Sequence, residues 1–275
     1  MKKVLRTFKE NKQFTLFFIL GLVVIGIAIF APQLSPYYPL NAVMTESLQE
    51  PSSAHPFGTD KLGRDLLSRV IFGTRTSLIM TLCLVAVIFV IGTFLGVIAG
   101  YFGGVVDAVI MRIADMMISF PGLVLAIAIA GMLGPNLVNA VISIAAVSWT
   151  KYARLARSMV LKVKKSLYIE AAIVNGTKTW KILLVHILPN MVTQMVVTAA
   201  ADIGTMMLEL ASLSFLGFGA TAPTPEWGLM LNEGRTYMAK APWLMIAPGI
   251  AIVIVVIVFN MLGDSIRDIL DPRQD

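Results

Sequence analysis

The chain has 275 residues, of which 57% are hydrophobic and only 14% charged. A water-soluble domain carries about 45–50% apolar and about 25% charged residues, so composition excludes an ordinary soluble fold and makes the bilayer the natural solvent. The net charge of +6 then bears on membrane topology rather than on nucleic acid, because Lys and Arg bias which loops stay inside.

In chain order, Met1-Lys2-Lys3 through Lys12 and the apolar run from Phe14 to Phe30 resemble a signal peptide. The run exceeds an ordinary signal core and no small-residue cleavage site closes it, so it reads as an uncleaved first span. A spanning helix needs about 20 apolar residues, and backbone groups in lipid must bond within their own segment. These rules predict helical spans near 14–31, 79–99, 106–132, 137–151, 191–212 and 243–262. The expected fold is an all-α integral membrane protein with six transmembrane helices. It divides into residues 1–78 (N-terminus, first span and an outer segment) and 79–275. The second part is a five-helix core with a cytoplasmic loop over 151–190 and a cytoplasmic tail.

The basic residues set the orientation. Lys2, Lys3, Arg6, Lys9 and Lys12 precede the first span, and Arg267 and Arg273 follow the last. Between spans four and five lie Lys151, Arg154, Arg157, Lys162, Lys164, Lys165, Lys178 and Lys181. Six spans put all of these on one side, with Lys61, Arg64, Arg69, Arg75, Arg235 and Lys240 opposite. The positive-inside rule therefore predicts that both termini are cytoplasmic. The outer segments, 32–77 and 214–242, carry turn signals such as Pro32, Pro36, Pro39, Pro51 and Pro56.

Gly92, Gly96, Gly100 and Gly104 recur every four residues at the end of span two. Such a stripe lets helices approach closely, either within the chain or at a subunit interface. Asp107, Arg112 and Asp115 in span three and Asp202 and Glu209 in span five are ionisable residues at membrane depth. They mark either a polar translocation path or helix packing. Arg112 and Asp115, at i,i+3, are placed to neutralise each other. The inner charges Lys151, Arg154 and Arg157 are expected to prolong span four and to attract phospholipid.

The inner loop is more informative. Ser166 can cap a short helix over 167–174, and Gly176 suits the left-handed residue that ends one. A second helical stretch, Thr179 to Leu188, is expected to stop at Pro189. A short rigid helix across the membrane surface would act as a lever on spans four and five. No phosphate-binding loop, zinc-protease pair or nucleophile elbow occurs, and His55 and His186 do not form a pair. The lone Cys83 can form no internal disulfide, and the 16 methionines are scattered. No metal or cofactor is expected.

Glu170-Ala171-Ala172, Gly176 and His186-Ile187-Leu188-Pro189-Asn190 together resemble the EAA loop of ABC importer permeases. His55 through Arg69, continuing to Gly73, Arg75, Ser77 and Leu78, resembles the segment before the second span in the dipeptide/oligopeptide/nickel permease family. Glu209 through Gly219, with Pro225-Glu226-Trp227-Gly228 and Glu233-Gly234-Arg235, is similar to the same family. The likeness covers nearly the whole chain and matches the second, shorter permease of each pair.

This resemblance implies a type I ABC importer permease fold and a heterodimer with a related permease in the bacterial cytoplasmic membrane. It further implies two ATP-binding subunits inside, an extracytoplasmic substrate-binding protein outside, and no catalysis in this chain. It assigns ATPase coupling to Glu170, Ala171, Ala172, Gly176, His186 and Pro189. Asp202 and Glu209 are the candidates for the translocation path, and Asp60, Arg64, Asp65 and Arg69 those for outer docking. The last four can equally bond one another in a self-contained loop. Expected substrates are di- or oligopeptides, with glutathione and nickel or metallophore complexes as alternatives. Rival readings are an ion-coupled secondary transporter using Asp107 or Asp202, and a membrane-embedded enzyme using Asp202, Glu209 or His186.

Overall fold

The computed structural model describes residues 11–270. Lys2, Lys3, Arg6, Lys9 and Arg273, used above to set topology, lie outside the described residues. Helices and loops make up the molecule, with no β-strand among the described residues and one isolated bridge, Thr59 to Asp65.

Helix α1 (Lys12–Ile29) buries Gly21, Val24 and Ala28 and exposes Leu16, Ile19, Leu22 and Val23, as a helix in lipid does. Helix α2 (Leu66–Phe102) is far longer than the apolar run 79–99 that announced it. At 1.5 Å per residue it is about 56 Å long, against about 30 Å of hydrocarbon. Asp65 starts it early by accepting the amide and the hydroxyl of Ser68, at 2.8 and 2.7 Å. The boundary expected after residue 78 therefore falls inside one unbroken helix.

The expected single span 106–132 is two helices, α3 (Gly104–Ile118) and α4 (Gly122–Leu133), bent by 93°. The break lies at residues 119–121. Pro121 has no amide hydrogen and disfavours α geometry in the residue before it, so the helix must stop there. Helix α5 (Leu137–Lys164) starts on Asn136, whose side chain accepts from the Val138 amide, and carries the basic residues on its second half, as expected.

After the inner loop, helix α7 (Leu188–Phe215) is entered through Thr179–Lys181 and a π-helical stretch, Ile182–Ile187. The outer loop holds α8 (Trp227–Gly234), and α9 (Trp243–Leu270) ends the described residues. By length and composition four helices can cross a membrane: Lys12–Ile29, Leu66–Phe102, Thr179–Phe215 and Trp243–Ile269. The bent pair is apolar enough to add a fifth if it crosses as one broken span, the other geometry for such a pair being a re-entrant loop. The remaining expected span, 137–151, is the apolar half of α5.

The tightest packing is α2 against α5. A β-carbon on Gly92 would lie 2.5 Å from the Trp149 carbonyl oxygen, one on Gly96 2.2 Å from that of Ala153, and one on Gly100 2.8 Å from Val160 Cβ. Three members of the glycine stripe thus serve packing within this chain, while a β-carbon on Gly104 would meet nothing within 4 Å. Around this seam Leu84, Ile88, Ile144, Tyr152, Met191 and Leu210 form the main core. A second core near the outer loop gathers Leu66, Val70, Trp227, Met230 and Leu244.

Candidate functional site

The inner loop folds into helix α6 (Leu167–Val174), bounded as its sequence suggested. Its start differs in detail. The Ser166 carbonyl accepts the amides of Ile169 and Glu170, but its hydroxyl turns back to the Val163 carbonyl at 2.6 Å and caps nothing. Its end is a Schellman turn: the Thr177 amide reaches the Ala172 carbonyl at 3.0 Å and the Gly176 amide that of Ile173 at 2.9 Å. Gly176 sits at φ +71°, where residues with a β-carbon are strained.

Only Ile169 of α6 is buried. Leu167, Glu170, Ala171 and Val174, at i, i+3, i+4 and i+7, form an exposed face, with Leu167 82% and Val174 86% exposed. Ala172 is half-buried at its edge. This outward face is apolar apart from the Glu170 carboxylate, a composition common at interaction surfaces.

The base of α7 holds this helix. Asn190 Nδ2 donates to the Tyr168 hydroxyl at 3.2 Å and to the His186 carbonyl at 2.5 Å, and the Tyr168 and His186 rings lie 6.4 Å apart. Pro189 does not stop the helix as expected; Thr179–Phe215 runs on through it. Having no N–H, Pro189 cannot bond the Val185 carbonyl, and the wider register of Ile182–Ile187 absorbs that fault. On the other side Lys164 Nζ donates to the Tyr101 carbonyl at 2.6 Å and lies over the Tyr101 ring, fixing the end of α5 to the end of α2. Helix α6 is thus tied to both α5 and α7. Sequence reasoning missed Tyr168 and Asn190, although both lie inside the segments that drew attention.

The three aspartates at membrane depth pair across helices. Lys151, Arg154 and Arg157 each hold one carboxylate: Asp202, Asp115 and Asp107 respectively. Asp115 therefore bonds α5, not Arg112 on its own helix. The three cations were expected to serve phospholipid, but their spacing of three instead aims them at α3 and α7. Asp202 is buried, 2.6 Å from Lys151 Nζ and 2.9 Å from the Tyr152 hydroxyl. Glu209 is half-buried two turns further along α7.

At the outer end, Asp60, Arg64, Asp65 and Arg69 are all buried. Asp60 accepts from Arg64 Nε at 2.6 Å and from the amides of Leu62 and Arg64. Arg64 and Arg69 both reach Glu233 Oε2, at 3.3 and 3.2 Å, and Arg69 also bonds the Pro223 carbonyl. Asp65 accepts from Ser68 and contacts His55 Nδ1 at 2.9 Å. These four residues point inward and tie the first outer segment to the second through Glu233, whose role the sequence did not reveal. Beside this network Glu226 caps α8, accepting the amides of Gly228 and Leu229 at 2.9 and 2.8 Å. Burial raises its carboxyl above the usual carboxylate range, and those amides offset part of the rise.

The family described as "binding-protein-dependent transport system inner membrane component" matches residues 92–275. The chain belongs to this family. Residues 1–51 match the "N-terminal TM domain of oligopeptide transport permease C". Among relatives, the permease is 44% identical to a dipeptide transport system permease protein, DppC, of Alkalihalophilus pseudofirmus, over 99% of this chain and 90% of that one. It is 47% identical to the glutathione transport system permease protein GsiD of Pectobacterium atrosepticum, over 92% and 84%. It is 40% identical to the DppC of Haemophilus influenzae, over 97% and 92%. Its fold resembles the inward-facing MetNI methionine ABC transporter, with a TM-score of 0.60 at 20% identity, over 74% of this chain and 97% of that chain.

The expected fold class and family therefore hold: this is a multi-pass, all-helical ABC permease. As a permease it is a transport component working with ATPase and binding-protein partners.

Proposed function

We propose that this permease forms, with a related permease, the translocation path of an ATP-driven importer for small peptides. The observation that carries the reading is α6, a short helix with an outward apolar face, closed by Gly176 and tethered to α5 and α7. Glu170, Ala171 and Ala172 form or flank the surface that an ATP-binding subunit grips, and Gly176, His186 and Pro189 keep that surface in place. Two such subunits lie on the cytoplasmic side with both termini, and an extracytoplasmic binding protein delivers the solute.

When the ATPases close on ATP, α6 moves as a rigid piece and carries α5 and α7 with it. The pairs from Lys151, Arg154 and Arg157 pass that movement to α3 and α7, so the helices switch between inward-open and outward-open arrangements. Only contacts that differ between the two states can drive such a switch. Asp202 acts as a lock between α5 and α7, and the half-buried Glu209 is the residue of this face left to meet solute. Outside, Asp60, Arg64, Asp65 and Arg69 support the docking surface from beneath rather than touching the binding protein.

The peptide assignment draws on the dipeptide and glutathione transport permeases that this chain resembles. Nickel import is the rival, and no group of metal-binding side chains occurs among the described residues. Uptake of labelled dipeptide and labelled nickel in a deletion strain separates them. Loss of peptide uptake alone, restored by the gene, is expected; loss of nickel uptake alone would overturn the peptide reading.

A further inference from the structure

An apolar groove of about 460 Å³ runs between the cytoplasmic half of α2 and the lead-in to α7. Phe89, Phe94 and Val97 form one wall, and Trp180, Leu184 and Met191 the other. One polar group breaks this lining. The Thr93 hydroxyl is buried and has no hydrogen-bond partner, and Thr93 as a residue is only 8% exposed. On the same helix Thr74, Thr76 and Thr81 each donate to the carbonyl four residues back, so Thr93 departs from the pattern of its own helix. A hydroxyl without a partner is unfavourable in an apolar setting, and rotation of the Thr93 side chain toward the groove lets an occupant that carries an acceptor satisfy it, which a purely apolar one cannot do.

The chain beside Trp180, a lining residue, is basic. Lys178 and Lys181 flank Trp180 and are exposed. Lys151, Arg154 and Arg157 spend their charges on aspartates, whereas Lys178 and Lys181 are in no ion pair among the described residues. Lys181 precedes Leu184 by three residues and so shares its side of the helix. Tryptophan beside lysine is the pattern of a membrane–water boundary.

We infer that this groove binds one anionic phospholipid of the cytoplasmic leaflet, its acyl chain against Phe94 and Leu184 and its headgroup phosphate at Lys178 and Lys181. A glycerol-ester carbonyl supplies the acceptor that Thr93 lacks. The inference rests on the cytoplasmic placement of residues 151–190 and does not depend on which solute is carried. An apolar helix of a partner subunit would fill the same groove but would offer neither a phosphate to the lysines nor an acceptor to Thr93.

The test uses the assembled transporter in nanodiscs containing brominated phosphatidylglycerol or brominated phosphatidylcholine. Quenching of Trp180 is read as the difference from a Trp180→Phe variant. Each basic residue near the surface contributes enough attraction that two give a preference of up to ~30-fold for the anionic lipid. That preference is expected in the wild type, is lost in Lys178→Gln/Lys181→Gln, and is accompanied in Thr93→Val by weaker quenching with both lipids. Equal quenching by the two lipids in the wild type would mean ordinary boundary lipid and would overturn the proposal. So would absence of Trp180 quenching by either, which would show a partner subunit covering the groove, or a preference that survives in the double lysine variant.

Discussion

Replacing Gly176 isolates the backbone contribution to coupling. A β-carbon at this position would meet nothing within 4 Å, so within this chain a larger residue clashes with nothing. The cost comes from φ +71° alone, which is roughly 1–2 kcal/mol for an ordinary L residue. That lowers the population of the closed Schellman turn by about 5- to 30-fold. Asparagine tolerates the left-handed region better than alanine, and β-branched valine tolerates it worst. We expect solute uptake to fall in the order Gly, Asn, Ala, Val, with substrate-stimulated ATP hydrolysis by the assembled transporter falling in parallel. Membrane levels of the permease, followed by immunoblot, should stay constant because the turn lies outside the core. Normal uptake by Gly176→Val would refute the lever argument. Equal inactivity of Gly176→Asn and Gly176→Val would instead place a partner side chain against the glycine, and the backbone reasoning would fail.

Other perturbations probe the supports. Gly96→Leu drives a side chain into the Ala153 carbonyl and should destabilise the α2–α5 seam by about 1–3 kcal/mol or more, read as loss of folded permease from the membrane. Glu233→Ala leaves Arg64 and Arg69 short of a carboxylate in a buried site; breaking such a network costs about 3–5 kcal/mol, so thermal unfolding in detergent should drop sharply, while the exposed Lys240→Ala should change little. Tyr152→Phe removes one donor to Asp202 but keeps Lys151, so its effect should be smaller than that of Asp202→Ala, which strips the acceptor from both. Glu226 gives a pH signature. Its pKa is raised on folding, so its contribution is fully present below its unfolded pKa and is lost as pH rises through the folded value. Acidification should therefore stabilise the wild type relative to Glu226→Gln in thermal unfolding, and a difference that stays flat with pH would count against the buried carboxyl.

Sequence and structure agree where one residue type dictates one geometry. The apolar runs located the helices, and Gly176 announced its turn because few other residues accept that φ. Helix ends were less legible. The first turns of α2 carry Ser68, Arg69, Thr74 and Ser77, which read as outer loop by hydropathy yet form helix because Asp65 caps them, and Glu226 bonds Ser77 from 149 residues away and Glu233 bonds Arg69 from 164. The break at Pro121 was readable from proline chemistry alone, but the apolar residues on both sides hid it. Long-range pairing was least legible of all. Arg112 and Asp115 are neighbours on one helix, and only the folded chain brings Arg154 closer to Asp115. The same holds for the outer aspartates and arginines, whose composition suits a docking surface as well as a buried knot and whose burial only the folded chain displays.

The central claim is that ATP, acting through α6, drives solute inward. The direct measurement is uptake of a labelled dipeptide into proteoliposomes that hold the assembled transporter, with the binding protein outside and ATP inside. The account predicts uptake that requires ATP, persists with an uncoupler and disappears in Gly176→Val. Uptake that proceeds without ATP and stops with the uncoupler would contradict it and point to an ion-coupled carrier.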